Sequence, residues 1–443
     1  MTRRSSSRRS PGGSGSTESA EPVTETIEPA AGAPAAEPRA TTRTTRAAHR
    51  RPPRAITVPV LAALALAPLG GHRTDLRRSR PQPPRAAARR ALPAPRVRHV
   101  FLVVLENESF DRTFGPTSPA PYLARTLTAQ GALLRQYYGI GHASLDNYIA
   151  LVSGQAPNEA TQADCRTYAE FRPARPGLDA DGQAVGTGCV YPARVRTVVD
   201  QLEAHHLTWR GYMEDLGNDP ARERAACGHP PLGGTDPTNR AEPGDQYATK
   251  HDPFYYFHSI IDDTARCASH VVNLSALRRD LMRVSTTPNF AFISPNLCDD
   301  GHDAPCVDHA VGGLAQVDRF LREWVPRITE SPAFRADGML VITFDEGLES
   351  SACCGERPLR GQAHPPGVNG PGGGRVGAVV LSPFVAPGTI SDRPYNHYAL
   401  LRWVEDLFGL DHLGFAGARG LATPGPDIIT GRHATRGTGS TTR

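Results

Sequence analysis

The run VRHVFLVVL at residues 97–105 decides the fold, because it is a continuous apolar stretch rich in β-branched side chains. A strand that is covered on both faces has such a run, whereas a strand with one wet face alternates apolar and polar residues. We therefore predict a central strand of a parallel sheet here. Glu106 and Asn107 follow it directly, and functional side chains in open α/β sheets collect at the carboxyl ends of strands.

The rest of the chain continues the pattern of a strand followed by a helix. Further strands are predicted at residues 208–213, 289–294, 338–344 and 375–382. Helices are predicted at residues 122–136, 196–205, 311–328 and 398–408, and another helix is predicted to start at Tyr148. Gly409 suits the left-handed residue that ends a helix. This alternation predicts an α/β fold with a mostly parallel central sheet and helices on both faces.

Residues 1–96 form a leader that is rich in Arg, Pro and Ala and contains no Phe, Tyr or Trp. Such a composition buries too little apolar surface to offset the entropy lost on ordering, so we predict that the leader is disordered. The apolar segment at residues 55–70 follows Arg50, Arg51 and Arg54, as a secretion signal or an uncleaved anchor would. We expect a secreted or cell-envelope protein, with anchoring through this segment as the alternative.

The remaining chain is predicted to be one domain at residues 97–424, with an irregular insertion at 214–258 and a disordered tail at 425–443. The net charge of +4 reflects the arginine-rich leader. A basic leader is compatible with contact with an anionic membrane surface, but a solvated, disordered leader is the favoured interpretation. Nucleic acid is not an expected partner, because no aromatic side chains lie between the arginines to stack on bases.

All eight cysteines lie in the predicted domain, which suits disulfide bonds formed in an oxidising compartment. No CxxC pair is present, so a structural zinc site is not indicated. Cys298 and Cys306 are close enough in sequence to pair, and Cys165 could pair with Cys189. Eight cysteines allow about a hundred connectivities, so these pairings remain hypotheses.

Three predicted strands deliver polar side chains at their carboxyl ends. These side chains are Glu106 and Asn107, then Asp299, Asp300, His302 and Asp303, and finally Asp345 and Glu346. Converging carboxylates repel one another unless a cation lies between them, and carboxylate and imidazole are ligands of divalent cations. The alternative is that each pair is ordinary surface charge. Three such pairs at three strand ends favour a metal site.

Ser144 lies at a predicted turn just before a helix, in the segment GHASLDNY at residues 141–148. A hydroxyl there faces the positive end of the helix, where an anion such as phosphate is stabilised. The alternative is an ordinary N-cap serine.

Five motifs in this chain resemble those of the bacterial phosphoesterase family, which includes secreted acid phosphatases and non-haemolytic phospholipases C and belongs to the alkaline phosphatase superfamily. The motifs occur in the family's order, and they are ENESFDRTFG at 106–115, HASLDNY at 142–148, SPNLCDDGHD at 294–303, FDEG at 344–347 and YNHYALLRWVEDLFG at 395–409. The family often has Pro where Asp146 stands, and the long leader belongs to no pattern of that family.

The resemblance implies an alkaline-phosphatase-like fold and a role for each matching residue. The implied catalytic residues are Ser144 as nucleophile, Asn147, His302, His397 and His251. The implied substrate-binding residues are His142, Asn147 and Lys250. The implied metal-site residues are Glu106, Asn107, Asp345 and Glu346, which would hold a divalent metal ion that the sequence does not identify.

The expected activity is metal-dependent hydrolysis of phosphate monoesters, with a small phosphate ester as partner. One alternative is a phospholipase C that acts on a phospholipid head group and uses the aromatic run FYYF at 254–257 as an apolar mouth. The same aromatics would pack the insertion onto the domain if that alternative is wrong. A second alternative is an inactive binding protein, against which the retained Ser144, Asp345 and Glu346 argue.

Overall fold

The computed structural model describes residues 97–356, 359, 371–425 and 427–429. Its strands are β1 (His99–Leu105), β2 (Ala132–Leu134), β3 (Tyr137–Tyr138), β4 (Arg172–Pro173), β5 (Gly186–Thr187), β6 (Trp209–Met213), β7 (Val271–Asn273), β8 (Phe290–Ser294), β9 (Gly338–Phe344), β10 (Ala378–Leu381), β11 (Thr389–Ser391) and β12 (Tyr395–Asn396).

The α-helices are α1 (Phe110–Phe114), α2 (Thr128–Gln130), α3 (Ser144–Ser153), α4 (Val198–Ala204), α5 (His258–Ile261), α6 (Thr264–His270), α7 (Leu277–Asp280), α8 (Gly313–Thr329), α9 (Pro332–Asp337) and α10 (His397–Phe408). A π-helix spans Tyr122–Leu127, and short 3₁₀ turns span Thr161–Ala163, Thr249–His251, Pro253–Tyr256, Leu274–Ala276 and Gly414–Gly417.

Eight strands form the central sheet in the order β11-β2-β10-β9-β1-β8-β6-β7. Strand β1 pairs in parallel with both β8 and β9, and β6 pairs in parallel with β8 and β7. Strand β10 runs antiparallel to both of its neighbours. Every residue of β1 and β9 is buried. Since side chains of a strand point alternately to opposite faces, both faces of this sheet are covered, which confirms the predicted α/β fold.

Two predicted helix boundaries are wrong. The predicted helix at 122–136 ends at Gln130, because Ala132–Leu134 forms a strand that pairs with β10 and β11. The helix predicted to start at Tyr148 starts at Ser144 instead, so Ser144 lies in its first turn. The other predicted strands and helices are confirmed to within a few residues, and Gly409 ends α10 in the left-handed conformation.

The insertion predicted to be irregular carries no strand between residues 214 and 248, which lie wholly within the described chain. Near its end, residues 254–256 lie in the 3₁₀ turn Pro253–Tyr256, Phe257 follows in an extended conformation, and the side chains of all four aromatics are completely buried. Phe254 packs on Trp209 and Phe292, with ring centroids 4.8 and 5.5 Å apart. These aromatics therefore attach the insertion to the domain and form no apolar mouth.

Residues 427–429, which lie in the segment predicted to be a disordered tail, contact the domain. Ile428 is completely buried, and Ile429 bridges to Val385. Asp427 accepts hydrogen bonds from the hydroxyls of Ser391 (2.5 Å) and Tyr395 (2.7 Å). These contacts tie the segment to the sheet edge formed by β11.

Four disulfide bonds join all eight cysteines. Cys165–Cys189 and Cys298–Cys306 confirm the two hypothesised pairs, with Cα atoms 5.9 and 5.3 Å apart. The remaining bonds are Cys227–Cys267 and the sequence-adjacent pair Cys353–Cys354. Cross-links of this kind stabilise proteins that work in oxidising compartments.

Among the described residues, no helix combines the length and the apolar character needed to cross a bilayer. The predicted leader, with its apolar segment at 55–70, lies outside the described residues.

Replacing Glu405 with Gln is expected to stabilise the protein at alkaline pH. Glu405 on α10 is fully buried, its Oε1 accepts the Leu413 N–H (2.9 Å) and its Oε2 has no partner. Burial raises the pKa of Glu405 from 4.5 to about 9. The neutral carboxyl therefore contributes fully below pH 4.5, and that contribution is lost as the pH rises toward 9.

Glu405→Gln keeps an acceptor for the Leu413 N–H and removes the ionisation. We expect the free energy of unfolding to rise by at least about 1 kcal/mol at pH 8 and to change little at pH 4. Thermal melts at the two pH values measure this, with the exposed Glu159→Gln as control. A Glu405→Gln protein that melts like the wild type at pH 8 contradicts the prediction.

Candidate active site

The candidate site lies at the carboxyl ends of the neighbouring parallel strands β8, β1 and β9. Glu106 follows β1 directly, and its N–H donates to the main-chain oxygen of Asp300 at 2.9 Å. Asp345 follows β9, and its N–H donates to the oxygen of Leu105 at 2.9 Å. These two hydrogen bonds bring Glu106, Asp300 and Asp345 to one edge of the sheet.

Ser144 is bound to this edge through its side chain. It is the first residue of α3, and its Oγ donates to Glu106 Oε2 at 2.8 Å. Ala143 before it is extended, which turns the chain sharply into the helix. The first turn of a helix presents free N–H groups and the positive end of the helix dipole. The hydroxyl thus stands where an anionic group would be stabilised.

Asn147 holds the turn that precedes Ser144. Its Oδ1 accepts the N–H groups of Ile140 (2.7 Å) and Gly141 (3.1 Å). Its Nδ2 donates to the oxygens of Gly141 (3.1 Å) and Ala143 (3.0 Å). Both atoms of the amide are engaged within the turn, so its place differs from the predicted direct contact with a phosphoryl oxygen.

Glu106, His251 and Asp300 form a buried cluster whose ligand atoms all lie within 4.8 Å of one another. His251 Nε2 lies 3.3 Å from Glu106 Oε1, and its Nδ1 lies 3.1 Å from Asp300 Oδ2. Tyr148 stacks on the His251 ring at 5.2 Å and fixes its plane.

This cluster has the donor set of a divalent cation site. Glu106 Oε1, Asp300 Oδ2 and both His251 nitrogens are buried without a hydrogen-bond partner among the described residues. Burial raises the pKa of Glu106 to about 7 and raises the pKa of Asp300 well above its ordinary value, and it lowers the pKa of His251. Neutral imidazole and unpaired carboxylate oxygens are what Zn²⁺ or a harder divalent ion binds.

A second group of predicted metal residues lies at the end of β9. The Asn107 N–H donates to Asp345 Oδ1 at 3.1 Å, and Asn107 adopts a left-handed conformation (φ 54°). Asn107 Oδ1 and Asp345 Oδ2 are buried and unpartnered in the described structure. Asp345 therefore offers one unpartnered oxygen and Asn107 another, and their role as metal ligands stays a prediction.

Glu346 contacts a histidine near Ser144. Its Oε2 lies 3.0 Å from His142 Nδ1, and this contact raises the pKa of His142 above its ordinary value. His142 precedes Ser144 by two residues. The structure thus joins the predicted metal residue Glu346 to the predicted substrate residue His142 as an ion pair.

His397 differs most from its predicted role. Both ring nitrogens are engaged, Nδ1 with the Tyr137 hydroxyl (2.9 Å) and Nε2 with the main-chain oxygen of Asp345 (2.6 Å). The ring is completely buried, and burial lowers the pKa of His397 to about 4. His397 therefore positions the β9 terminus, and no nitrogen is left to ligate a metal or a phosphoryl group.

His302 and Lys250 border the cluster. The His302 ring is 6.1 Å from that of His251, its Nδ1 lies 2.7 Å from Asp303 Oδ1, and its side chain is 31% exposed. Lys250 is buried, and its Nζ lies 3.5 Å from Asp164 Oδ2. Burial alone would lower the pKa of Lys250, but surrounding carboxylates, Asp164 first, raise it.

Asp300 is a candidate metal ligand that the sequence alone does not distinguish from the neighbouring aspartates. The segment at 299–303 offers three aspartates, and the sequence does not say which one turns inward. The structure separates the neighbours, because Asp300 faces His251 while Asp299 accepts from Gln316 Nε2 at 2.6 Å.

A glycine-rich segment at residues 371–375 packs directly on the turn that precedes Ser144. Gly139 donates to the oxygen of Gly374 (2.9 Å), Gly373 donates to the oxygen of Gly139 (3.2 Å), and Gly347 donates to the oxygen of Gly373 (2.7 Å). A Cβ atom on Gly373 would lie 2.1 Å from the oxygen of Gly141. The two backbones are therefore in contact, and this contact sets the position of the turn.

Replacing Gly373 with Ala is expected to lower turnover about tenfold or more, because the backbone at Gly141 must move and Ser144 moves with it. Steady-state kinetics and thermal melts of the variant measure this. Gly417→Ala is the control, since a Cβ there meets nothing closer than 3.5 Å. Wild-type turnover in Gly373→Ala would show that this glycine contact does not position Ser144.

Comparisons with known proteins agree with this geometry. The model of the phosphoesterase family matches residues 117–411, more than half of the chain. An acid phosphatase of Aspergillus fumigatus is 26% identical over 318 residues, which cover 71% of this chain and 55% of that protein. A phosphatidylinositol-3-phosphatase of Mycobacterium tuberculosis is 26% identical over 322 residues, which cover 73% of this chain and 80% of that protein.

Among solved structures, a protein of the alkaline phosphatase superfamily from Vibrio parahaemolyticus aligns with a TM-score of 0.42 and 12% identity, covering 72% of this chain and 69% of its own. The chain spans 55% of the length of the Aspergillus relative. The extent of the family match, together with the motifs that meet at the ends of β1, β8 and β9, leads to one conclusion: this chain is a member of the phosphoesterase family.

Proposed function

We propose that this protein is an exported phosphatase that hydrolyses phosphate monoesters through Ser144 with the help of a divalent cation. The observation that carries the proposal is the 2.8 Å hydrogen bond from Ser144 Oγ to Glu106, a member of the buried cluster with His251 and Asp300. The printed names of the relatives, an acid phosphatase and a phosphatidylinositol-3-phosphatase, support the same reaction class.

In this reaction each residue of the site has its own role. Ser144 Oγ bonds to phosphorus as the bond to the ester oxygen breaks, and Glu106 Oε2, which accepts the hydrogen bond of the hydroxyl, takes up the serine proton. The positive end of the α3 dipole stabilises the phosphoryl oxygens. Lys250 adds a buried positive charge, and the partly exposed His302 stands where a leaving oxygen can receive a proton. Water then releases phosphate from the serine.

The group that Glu106, His251, Asp300, Asn107 and Asp345 would hold is a divalent cation. When bound, it supplies Lewis-acid polarisation and neutralises the charge of the phosphoryl group.

The phospholipase C alternative loses its main support in the structure. It needs an apolar entrance, and the aromatics at 254–257 that were to line one are completely buried. A soluble phosphate monoester therefore suits the site better than a diester in a lipid surface.

A substrate panel tests this function. The full chain is assayed with p-nitrophenyl phosphate, bis-p-nitrophenyl phosphate and phosphatidylcholine vesicles, each with and without added divalent metal. We expect the monoester to be hydrolysed fastest and only with metal. A preference for the vesicles by tenfold or more would support the phospholipase instead, and no turnover of any ester would support an inactive binding protein.

We propose export because four disulfides hold the domain, a pattern typical of oxidising compartments. Contact of the basic leader with a membrane surface is a separate proposal that rests on its charge alone. Fractionation of expressing cells into cytosol, membrane and medium tests both, because a cytosolic, fully reduced protein would contradict export.

A further inference from the structure

Asp164 links two parts of the candidate site that are distant in sequence. It follows the 3₁₀ turn Thr161–Ala163 in a left-handed conformation (φ 51°). Its Oδ1 accepts the N–H of Leu145, the residue after Ser144, at 3.1 Å. Its Oδ2 lies 3.5 Å from Lys250 Nζ. The next residue, Cys165, is fixed by its disulfide to Cys189.

Lys250 has little freedom apart from this contact. Its side chain is 8% exposed, and among the described residues Asp164 is the one carboxylate within 4.0 Å of its Nζ. Three further carboxylates, Glu106, Asp345 and Asp300, also act on it electrostatically. Without Asp164, the ammonium would be drawn toward these carboxylates and away from the first turn of α3.

We propose that Asp164 is a positioning residue, which holds the Lys250 ammonium beside the first turn of α3 so that both meet the phosphoryl group. This inference rests on the proposed function and adds a residue that no motif of the chain includes. One side chain uses one oxygen for the helix that carries the nucleophile and the other for the cation. A single carboxylate thereby contacts both the ammonium and the helix that begins at Ser144.

The two oxygens can be separated by substitution. Asp164→Asn keeps an acceptor for the Leu145 N–H and suits the left-handed conformation, which Asn tolerates as well as Asp does. It removes the charge that holds Lys250. Lys250→Met removes the ammonium and keeps the apolar stem of the side chain.

The test is a double-mutant cycle on the full chain, with inorganic phosphate as the probe. Phosphate affinity is measured by calorimetry, and KM and kcat are measured with p-nitrophenyl phosphate. We expect Asp164→Asn to weaken phosphate binding and raise KM about tenfold, with a smaller change in kcat. In the Lys250→Met background, the same substitution should change phosphate affinity by less than about twofold.

A matched control is Asp263→Asn, because Asp263 Oδ1 also accepts a main-chain N–H at the start of a helix, from Arg266 at 3.0 Å. Asp263 makes no ion pair with Lys250 among the described residues. It should leave phosphate affinity unchanged. The inference is overturned if Asp164→Asn leaves phosphate affinity unchanged, or weakens it equally in both backgrounds, which would mark a purely structural role.

Calorimetry separates this inference from the proposed function, since it needs no turnover. An additive cycle in a protein that hydrolyses the monoester through Ser144 refutes only the role of Asp164. A protein that binds phosphate with the expected coupling but hydrolyses nothing refutes the proposed reaction and supports the positioning role.

Discussion

Replacing Ser144 with alanine should reduce monoester hydrolysis by about 10³-fold or more. The substitution removes the atom that attacks phosphorus, and loss of a nucleophile in enzymes of this kind costs far more than loss of a binding contact. The hydroxyl is buried and donates only to Glu106 Oε2. Single-turnover and steady-state assays with p-nitrophenyl phosphate measure the loss.

Ser153→Ala is the matched control. Ser153 is buried on the same helix, where its Oγ donates to the oxygen of Ile149 at 2.7 Å. We expect it to keep at least about half of wild-type turnover. A Ser144→Ala protein that retains a tenth of wild-type activity, with the control intact, would exclude a serine nucleophile.

Replacing Asp300 with asparagine is expected to uncouple metal from stability and to lower turnover about a hundredfold or more. In the metal-free protein, Asp300 and Glu106 are buried carboxylates close to one His, and burial with the neighbouring Glu106 raises the pKa of Asp300 well above its ordinary value. Removing one carboxylate relieves this repulsion, so the metal-free variant should melt at a higher temperature than the metal-free wild type.

Added divalent metal should then raise the melting temperature of the wild type and change that of Asp300→Asn little, because the variant has lost a ligand. Melts with chelator and with excess metal, together with metal analysis, give the comparison. The adjacent Asp299→Asn is the control, since Asp299 faces Gln316. If Asp300→Asn responds to metal as the wild type does, the cluster with Glu106 and His251 is not the cation site.

The central strands could be predicted because uninterrupted apolar runs, at 97–105 and 338–344, indicate strands that are buried on both faces. The predicted end of the helix at 122–136 was wrong because a long-range pairing, which the local sequence does not show, determines the structure there. Ala132–Leu134 continues an apolar pattern that suits a helix, but its backbone pairs with β10 and β11, which are more than two hundred residues further along the chain. Tertiary pairing thus outweighs local pattern there.

The candidate site was predictable by residue type and only in part by role. Glu106, Ser144 and Asp345 stand where the motifs place them. His397 is equally prominent in its motif, but its ring is consumed by Tyr137 and the Asp345 main chain. The contact between Glu106 and Asp300 depends on β8 lying beside β1, and no local pattern encodes that pairing of distant strands.

The order of the strands in the sheet has a consequence during synthesis. Strand β1 lies between β8 and β9, so its two neighbours are translated about two hundred residues after it. A nascent chain that has emerged only as far as α8 carries Ser144 and Glu106 but lacks the β9 terminus with Asp345. Most of the polypeptide therefore leaves the ribosome before the sheet edge with Glu106 and Asp345 can form. Contacts between such distant segments form late.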